Sequence, residues 1–483
     1  MLWVILLVPV GVAALSGLAT WRAAGWAGVA SATTVLAAGI VLAARVVHGR
    51  PAAGYGGVLR ADALSAFMVL VIGVIALLAT LQGVRYLEAE VAQGRCAPRH
   101  ASLYAVLIQG FLATMLLAVL AANLGVMWVA VEATTIVTTF LVGHRNTRGS
   151  LEASWKYIVI CSVGIALAFL GTVIVYLAAL HAPGHGSQAL DWTSLVAQAH
   201  RLSPGVMRLA FALIVLGFGT KVGLAPMHSW LPDAHSQAPA PVSALMSGVL
   251  LTVAFYAILR FKVVADAALG PAFPRTLLVL VSLASLLVAA SLLLSQRDYK
   301  RMLAYHSVEH MGLIALGAAA GSTLAIAAVL LHILGHGIAK GVLFLASGEI
   351  LLVEGTSEIE HVPALLSRRP VLGAIFAFGL VALLGFPPFS LFVSELNMLR
   401  AEFQVGLGWA AGLSLACMAV IFGAVMSHGR HMLFGPRGSA APAMTPALVA
   451  VPLIGGLAGC AFIGVSAWPL GSLLHAAAHV VAL

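Results

Sequence analysis

The chain has 483 residues, of which 61% are hydrophobic and only 8% are charged, and its mean hydropathy is +1.06. A soluble domain carries roughly 25% charged residues; no soluble fold of this length could hide so much apolar surface, so the chain reads as an all-α polytopic membrane protein. The formal charge of +9 does not point to nucleic acid, because the basic residues lie in short loops between apolar runs, where membrane topology accounts for them.

No polar segment is long enough to fold separately, so the apolar runs belong to one bundle. The N-terminal run LWVILLVPVGVAALSGLA lacks a basic leader and reads as a first span rather than a removed signal. Runs of about 18 to 25 residues, each enough to cross a bilayer, follow in order. They lie near 2–20, 24–45, 62–83, 102–121, 123–142, 157–180 and 206–225, then 238–260, 276–295, 302–320, 323–352, 371–399, 405–427 and 446–475. That is about fourteen spans. Loops after odd-numbered spans carry the heavier basic load, including Arg95, Arg99, Arg145, Arg148, Arg297, Arg368 and Arg369. The positive-inside rule then puts those loops in the cytoplasm and both termini on the outer, periplasmic side of a cell inner (plasma) membrane. Between Leu180 and Pro204, LDWTSLVAQAHRL reads as a short amphipathic surface helix, a lid or packing element. Cys161, Cys417 and Cys460 fall in apolar runs, and with Cys96 they show no metal or redox spacing.

Two spans are interrupted. In LIVLGFGTKVGLAPMHSWLPDAH, Lys221 sits in an apolar run beside Gly219, Gly223 and Pro226. In GLVALLGFPPFSLFVSELNML, Pro387 and Pro388 break the run before Glu395. A charge at bilayer depth costs about 3 kcal/mol, and a broken helix is tolerated there only where the freed backbone faces protein or water. Two such segments in corresponding halves point to an ion path.

Further ionisable residues extend that path. Glu132 lies in the fifth span with no compensating charge nearby in sequence, so it needs a distant cation, for which Lys221 is the natural partner. The alternatives are a fixed structural ion pair, or a lysine that reaches out to the interface. His332, His336 and Lys340, spaced i, i+4, i+8, form one helical stripe that could relay protons. A histidine pair at that spacing can also hold a metal, but no acidic third ligand is positioned as in metalloprotease helices, so no metal is assigned. His306, Glu309 and His310 open the tenth span and could form an access site or simple polar caps. His228, Asp233 and His235 border the broken seventh span as a candidate mouth. With no nucleotide-binding loop, CxxC or nucleophile triad, the chain holds no cofactor or catalytic redox centre, and energy must come from a partner or an ion gradient.

The stretch FGTKVGLAPMHSWLPDAHSQAPAPVSALMSG resembles the segment shared by antiporter-like proton-pumping subunits of respiratory complex I, Mrp-type multisubunit antiporters and group 4 membrane-bound hydrogenases. The likeness runs from about Leu103 to Phe434. YHSVEHMGLIALG and LLGFPPFSLFVSELNML are most similar to the hydrogenase-4 and formate hydrogenlyase subset, in its F-type membrane component. The resemblance implies fourteen helices, with helices 1–3 in residues 1–100, two inverted five-helix repeats over 101–262 and 263–434, a last helix in 435–483, and breaks in helices seven and twelve. It matches Glu132, Lys221, Lys340 and Glu395 to the family's proton-carrying positions. One departure stands out: where several members carry a bridging lysine or histidine in helix eight, this chain has Ser247 and Thr252.

The leading reading is therefore a proton-translocating membrane subunit of a complex I-like or hydrogenase-like assembly, itself without redox activity. Its partners would be other membrane subunits and a peripheral redox arm, in a lipid bilayer and without nucleic acid. The rivals are a secondary Na+/H+ antiporter subunit, a membrane partner of an inorganic-carbon uptake complex, and an inert scaffold.

Overall fold

In the computed structural model, residues 1–48, 51–181, 189–435, 444–468 and 470–482 are described. Helices dominate: α1 Leu2–Ser16, α2 Trp21–Val47, α3 Ala63–Ala92, α4 Pro98–Leu120, α5 Leu124–Val142 and α6 Arg148–Leu180. The only paired strands among the described residues are the two-residue β1 and β2, Ala52–Ala53 against Arg60–Ala61, antiparallel. The short surface helix α7, Trp192–Gln198, starts where the sequence places it, with the Asp191 carboxylate accepting the Ser194 amide at 2.9 Å. The rest of the predicted 180–204 linker includes residues 182–188, which lie outside the described set.

Then come α8 Pro204–Val222, α9 Trp230–Gln237 and α10 Ala240–Leu245, which passes through a π-turn at Met246–Leu250 into α11 Leu251–Leu269. The second half holds α12 Ala272–Leu293, α13 Tyr299–Ala320, α14 Thr323–Glu354, α15 Leu365–Arg368, α16 Pro370–Leu383, α17 Ser390–Gln404, α18 Gly408–Leu433, α19 Ala447–Val465 and α20 Gly471–Val481.

Among the described residues, eleven helices are long and apolar enough to cross a membrane, or twelve if the bent pair Ile359–Arg368 and Pro370–Leu383, turned by 115°, is one span. Each predicted run overlaps a helix, the last taking in α19 and the start of α20, but the first, tenth and twelfth fall short of this measure for separate reasons. α1 has only 15 residues. α13 carries the polar His306, Glu309 and His310 in the middle of its apolar stretch. The twelfth run is split into α16 and α17 around Pro387 and Pro388.

Polar caps set several helix starts. Asp62 caps α3, Asn123 caps α5, Thr147 and Ser150 form a capping box at α6, Asp298 caps α13 and Ser322 caps α14. Each side chain satisfies an amide that the helix leaves unpaired. The α10–α11 rod and α14 run through the middle, buried along their apolar lengths. They approach closely at Gly248 and Gly337: a Cβ on Gly337 would lie 2.9 Å from the Gly248 carbonyl oxygen, and one on Gly248 3.0 Å from that of Gly337. Only glycine lets two backbones come this near.

Charged residues also reach further inside than their placement in loops implied. Arg260 lies within α11, buried, and forms a two-pronged pair with Asp62 at 2.6 and 2.7 Å. Lys262 pairs with Asp266 at 2.5 Å one turn on, also buried. The reason is length: α10 to α11 runs 30 residues, longer than a bilayer core requires.

Candidate functional site

Lys221 is the penultimate residue of α8, which stops at Gly223 in a left-handed conformation (φ 84°). The helix's last carbonyls favour a cation there. Trp230 Nε1 donates to the Thr220 carbonyl at 2.8 Å, and the Ala225 amide donates to Ser285 Oγ at 2.9 Å, so protein groups take up backbone freed by the break. Gly219 itself is helical, within the last turn of α8, and its carbonyl accepts the Leu224 amide at 2.9 Å, a bond that closes the helix end at the break. Gly223 and Pro226 do lie where the helix ends.

The Lys221 side chain is wholly buried. Its Nζ donates to Thr135 Oγ1 at 2.8 Å and to the Tyr157 hydroxyl at 2.5 Å, and lies 4.7 Å from the centre of the Tyr157 ring. Thr135 in turn donates to Glu132 Oε2 at 3.2 Å. Lys221 and Glu132 therefore do not touch. One threonine hydroxyl separates them, on the i, i+3 face of α5. Glu132 itself is only half-buried.

From Lys221 a line of rings leads inward. Tyr157 packs on Trp230 (4.9 Å between centroids), Trp230 on His235 (5.9 Å), and His235 on Phe344 (5.8 Å), one turn past Lys340 on α14. His235, given to a mouth by its sequence position, is instead fully buried, and neither ring nitrogen has a hydrogen-bond partner. Asp233, two residues earlier, faces outward and pairs with Lys156 at 3.1 Å and Arg301 at 3.2 Å. His228 is half-buried in the connection between α8 and α9. His228 precedes α9, and Asp233 and His235, two residues apart on it, face different sides of the helix. Lys300, which the sequence reading left in a loop, is buried beside this junction, its Nζ donating to the carbonyls of Ser236 and Ala238 at 2.7 and 2.8 Å.

Lys340 lies in the middle of the unbroken α14, wholly buried, and donates to the Leu303 carbonyl. Imidazoles crowd the same region. His306 stacks on His310 (4.7 Å), and His310 lies 5.0 Å from both His332 and His336. His310 Nδ1 is 2.9 Å from His332 Nε2, and His332 Nδ1 is 2.9 Å from Ser394 Oγ, beside Glu395 on α17. His306, Glu309 and His310 were candidates for an access site or polar caps; all three are buried in the interior instead. Asp298 already caps α13, which places them two to three turns inside it. Glu395 remains half-buried, next to the connection that holds Pro387 and Pro388.

The sequence profile described as NADH:quinone oxidoreductase/Mrp antiporter, TM matches residues 121–422. The chain belongs to this family. Among its relatives, the hydrogenase-4 component F homolog of Methylacidiphilum infernorum (isolate V4) is 39% identical over 392 residues, covering 80% of this chain and 81% of that protein. A chain of the membrane-bound sulfane sulfur reductase, an archaeal respiratory membrane complex, superposes with a TM-score of 0.87 at 23% identity, covering 100% of this chain and 98% of the other. A chain of respiratory complex I from Thermus thermophilus gives 0.84 at 24% identity, covering 100% and 99%.

This protein is thus an antiporter-like membrane subunit of the type found in hydrogenase-4-like and NADH-quinone oxidoreductase-like complexes. For such a subunit, sequence reasoning missed Thr135 and Tyr157, the two hydroxyls that hold Lys221. Thr135 carried a signal, lying one turn from Glu132 in a run of threonines; Tyr157, on another helix, carried none.

Proposed function

We propose that this subunit moves protons across the membrane along a buried route from Glu132 through Lys221, the His235 junction, Lys340 and the histidine cluster to Glu395. The carrying observation is the Lys221 site: a buried cation held by two neutral hydroxyls, with its carboxylate one hydroxyl away. In a low-dielectric interior the energy of such a pair changes steeply with separation. A small shift of α5 against α8 would therefore favour either the charged pair or proton release. Reactions in a partner subunit would supply that shift, since no group in the route is itself a redox centre.

In this reading the subunit has fourteen membrane helices, residues 101–262 and 263–434 are the two inverted repeats, and both termini face the outer side. Each half contains one interrupted helix, which supports the pairing of the repeats. A peripheral redox arm, complex I-like or hydrogenase-like, drives it. The missing helix-eight base is offset by His235, which stands between the halves. Ser247 has its hydroxyl 2.8 Å from that of Ser307 and links the π-turn to α13.

The test is proton uptake by proteoliposomes holding the assembled complex. Lys221→Met and Glu132→Gln should each lower flux at least tenfold while the complex still assembles. Unchanged flux in both would leave the scaffold reading standing.

A further inference from the structure

Four imidazoles and two carboxylates meet where α13, α14 and α17 pack together, and together they make a donor set for more than protons. The atoms that His306, Glu309 and His310 could offer lie within 4.8 Å of one another, and so do those of His310, His332 and Glu395. The two groups share His310. His306 Nδ1 lies 3.1 Å from Glu309 Oε2, and four further ring nitrogens are buried without a hydrogen-bond partner: Nε2 of His306, Nε2 of His310 and both of His336. The five residues of the cluster on α13 and α14 are no more than 4% exposed. Unsatisfied buried polar atoms each cost about 1–3 kcal/mol, so this many in one place calls for an occupant.

We propose that His310, His332 and Glu395 form a seat for a divalent transition-metal ion of the zinc class, with His306 and Glu309, which share His310, as a second set of donors beside it. Imidazole and carboxylate are the donors such ions take, whereas sodium, magnesium and calcium prefer all-oxygen shells. His306, Glu309 and His310 stand at i, i+3 and i+4 on one face of α13, in the order His-x-x-Glu-His that also occurs in one class of zinc peptidase. Here the helix is sealed inside the bundle with no cleft for a peptide, so the constellation binds and does not hydrolyse. Zn–N bonds of about 2.0–2.1 Å place tetrahedral ligands roughly 3.4 Å apart, within reach of small side-chain rotations from the present spacing. Half-buried Glu395, beside the interrupted connection to α17, gives the ion its way in. An ion fixed there ties up the imidazoles that the proposed route uses, so occupancy closes this half of it; that consequence rests on the functional reading above, while the binding does not.

The competing surface site is the exposed pair His475 and His479 on α20, whose Nε2 atoms lie 3.0 Å apart. Purified complex would be stripped with chelator, loaded with Zn2+ or Co2+, and buffer-exchanged. Metal content would be read by mass spectrometry and cobalt coordination by its absorption spectrum. The expected result is about one additional ion per chain, its binding weakened at least tenfold by His310→Gln and by His332→Asn, and unchanged when His475→Ala and His479→Ala are combined. Two buried variants guard against one failing to assemble. Binding kept in both, binding lost only in the surface variant, or no uptake above buffer would overturn the seat. Zinc held by these ligands without slowing proton flux would keep the seat and remove the route through it.

Discussion

The two halves of this subunit each bury a lysine, and they hold it in opposite ways. Lys221 sits at the end of an interrupted helix, where two hydroxyls and an aromatic face receive it and an acid waits one hydroxyl away. Lys340 sits mid-way along an unbroken helix, with one backbone carbonyl as its hydrogen-bond acceptor and imidazoles around it. The first arrangement stabilises a charge and can be tipped by a short displacement. The second offers a row of groups that can each accept or donate, with the acids Glu309 and Glu395 farther along. Under the proposed function, one half holds a proton and the other passes it on.

The sharpest way to break that contrast is to strip Lys221 of its hydroxyls. Hydrogen bonds to a charged group are each worth about 1.5–3 kcal/mol, and tenfold in rate corresponds to about 1.4 kcal/mol. Thr135→Val with Tyr157→Phe should therefore cut proton flux about a hundredfold, as measured by a pH-sensitive dye in proteoliposomes, with the complex still assembled. In the second half, Gly385→Ala should cost about 1–3 kcal/mol of thermal stability and displace Glu395. Gly385 has φ +67°, and an added Cβ would lie 2.3 Å from Glu395 Oε2; a melting curve and the flux assay check both effects. Ser394→Ala removes the hydroxyl facing His332 Nδ1 and should slow flux several-fold, for a loss of about 1 kcal/mol. Asp233→Asn breaks only exposed ion pairs with Lys156 and Arg301; it should change stability by less than about 1 kcal/mol and leave flux within about twofold of the parent.

How much of this could be read from the chain follows the range of the forces involved. Interruptions at Gly223–Pro226 and Pro387–Pro388 are local backbone chemistry, and the sequence places them where the helices stop. Lys221 and Lys340 stand out because a charge in an apolar run is conspicuous. Partners from other helices do not: Tyr157 precedes Lys221 by 64 residues, and Asp62 precedes Arg260 by 198. His306, Glu309 and His310 looked peripheral because they fall near the start of an apolar run, yet α13 begins earlier, at Tyr299. His235 looked like a rim residue because it borders the interrupted helix with Asp233, while the two-residue step between them on α9 sends the side chains to different surroundings. Gly219 stays helical, since glycine in a helix costs only about 1 kcal/mol, and it joins the interruption only through its carbonyl, which accepts the Leu224 amide.

The central claim is that both halves serve one continuous route, and Lys340 decides it, because it stands beyond the His235 junction and far from Glu132. Proton flux and electron transfer should be recorded together in proteoliposomes bearing the complex with Lys340→Met. The account predicts that flux falls at least tenfold in an assembled complex in which Glu132, Thr135 and Lys221 are untouched. Full proton flux in that variant would contradict it.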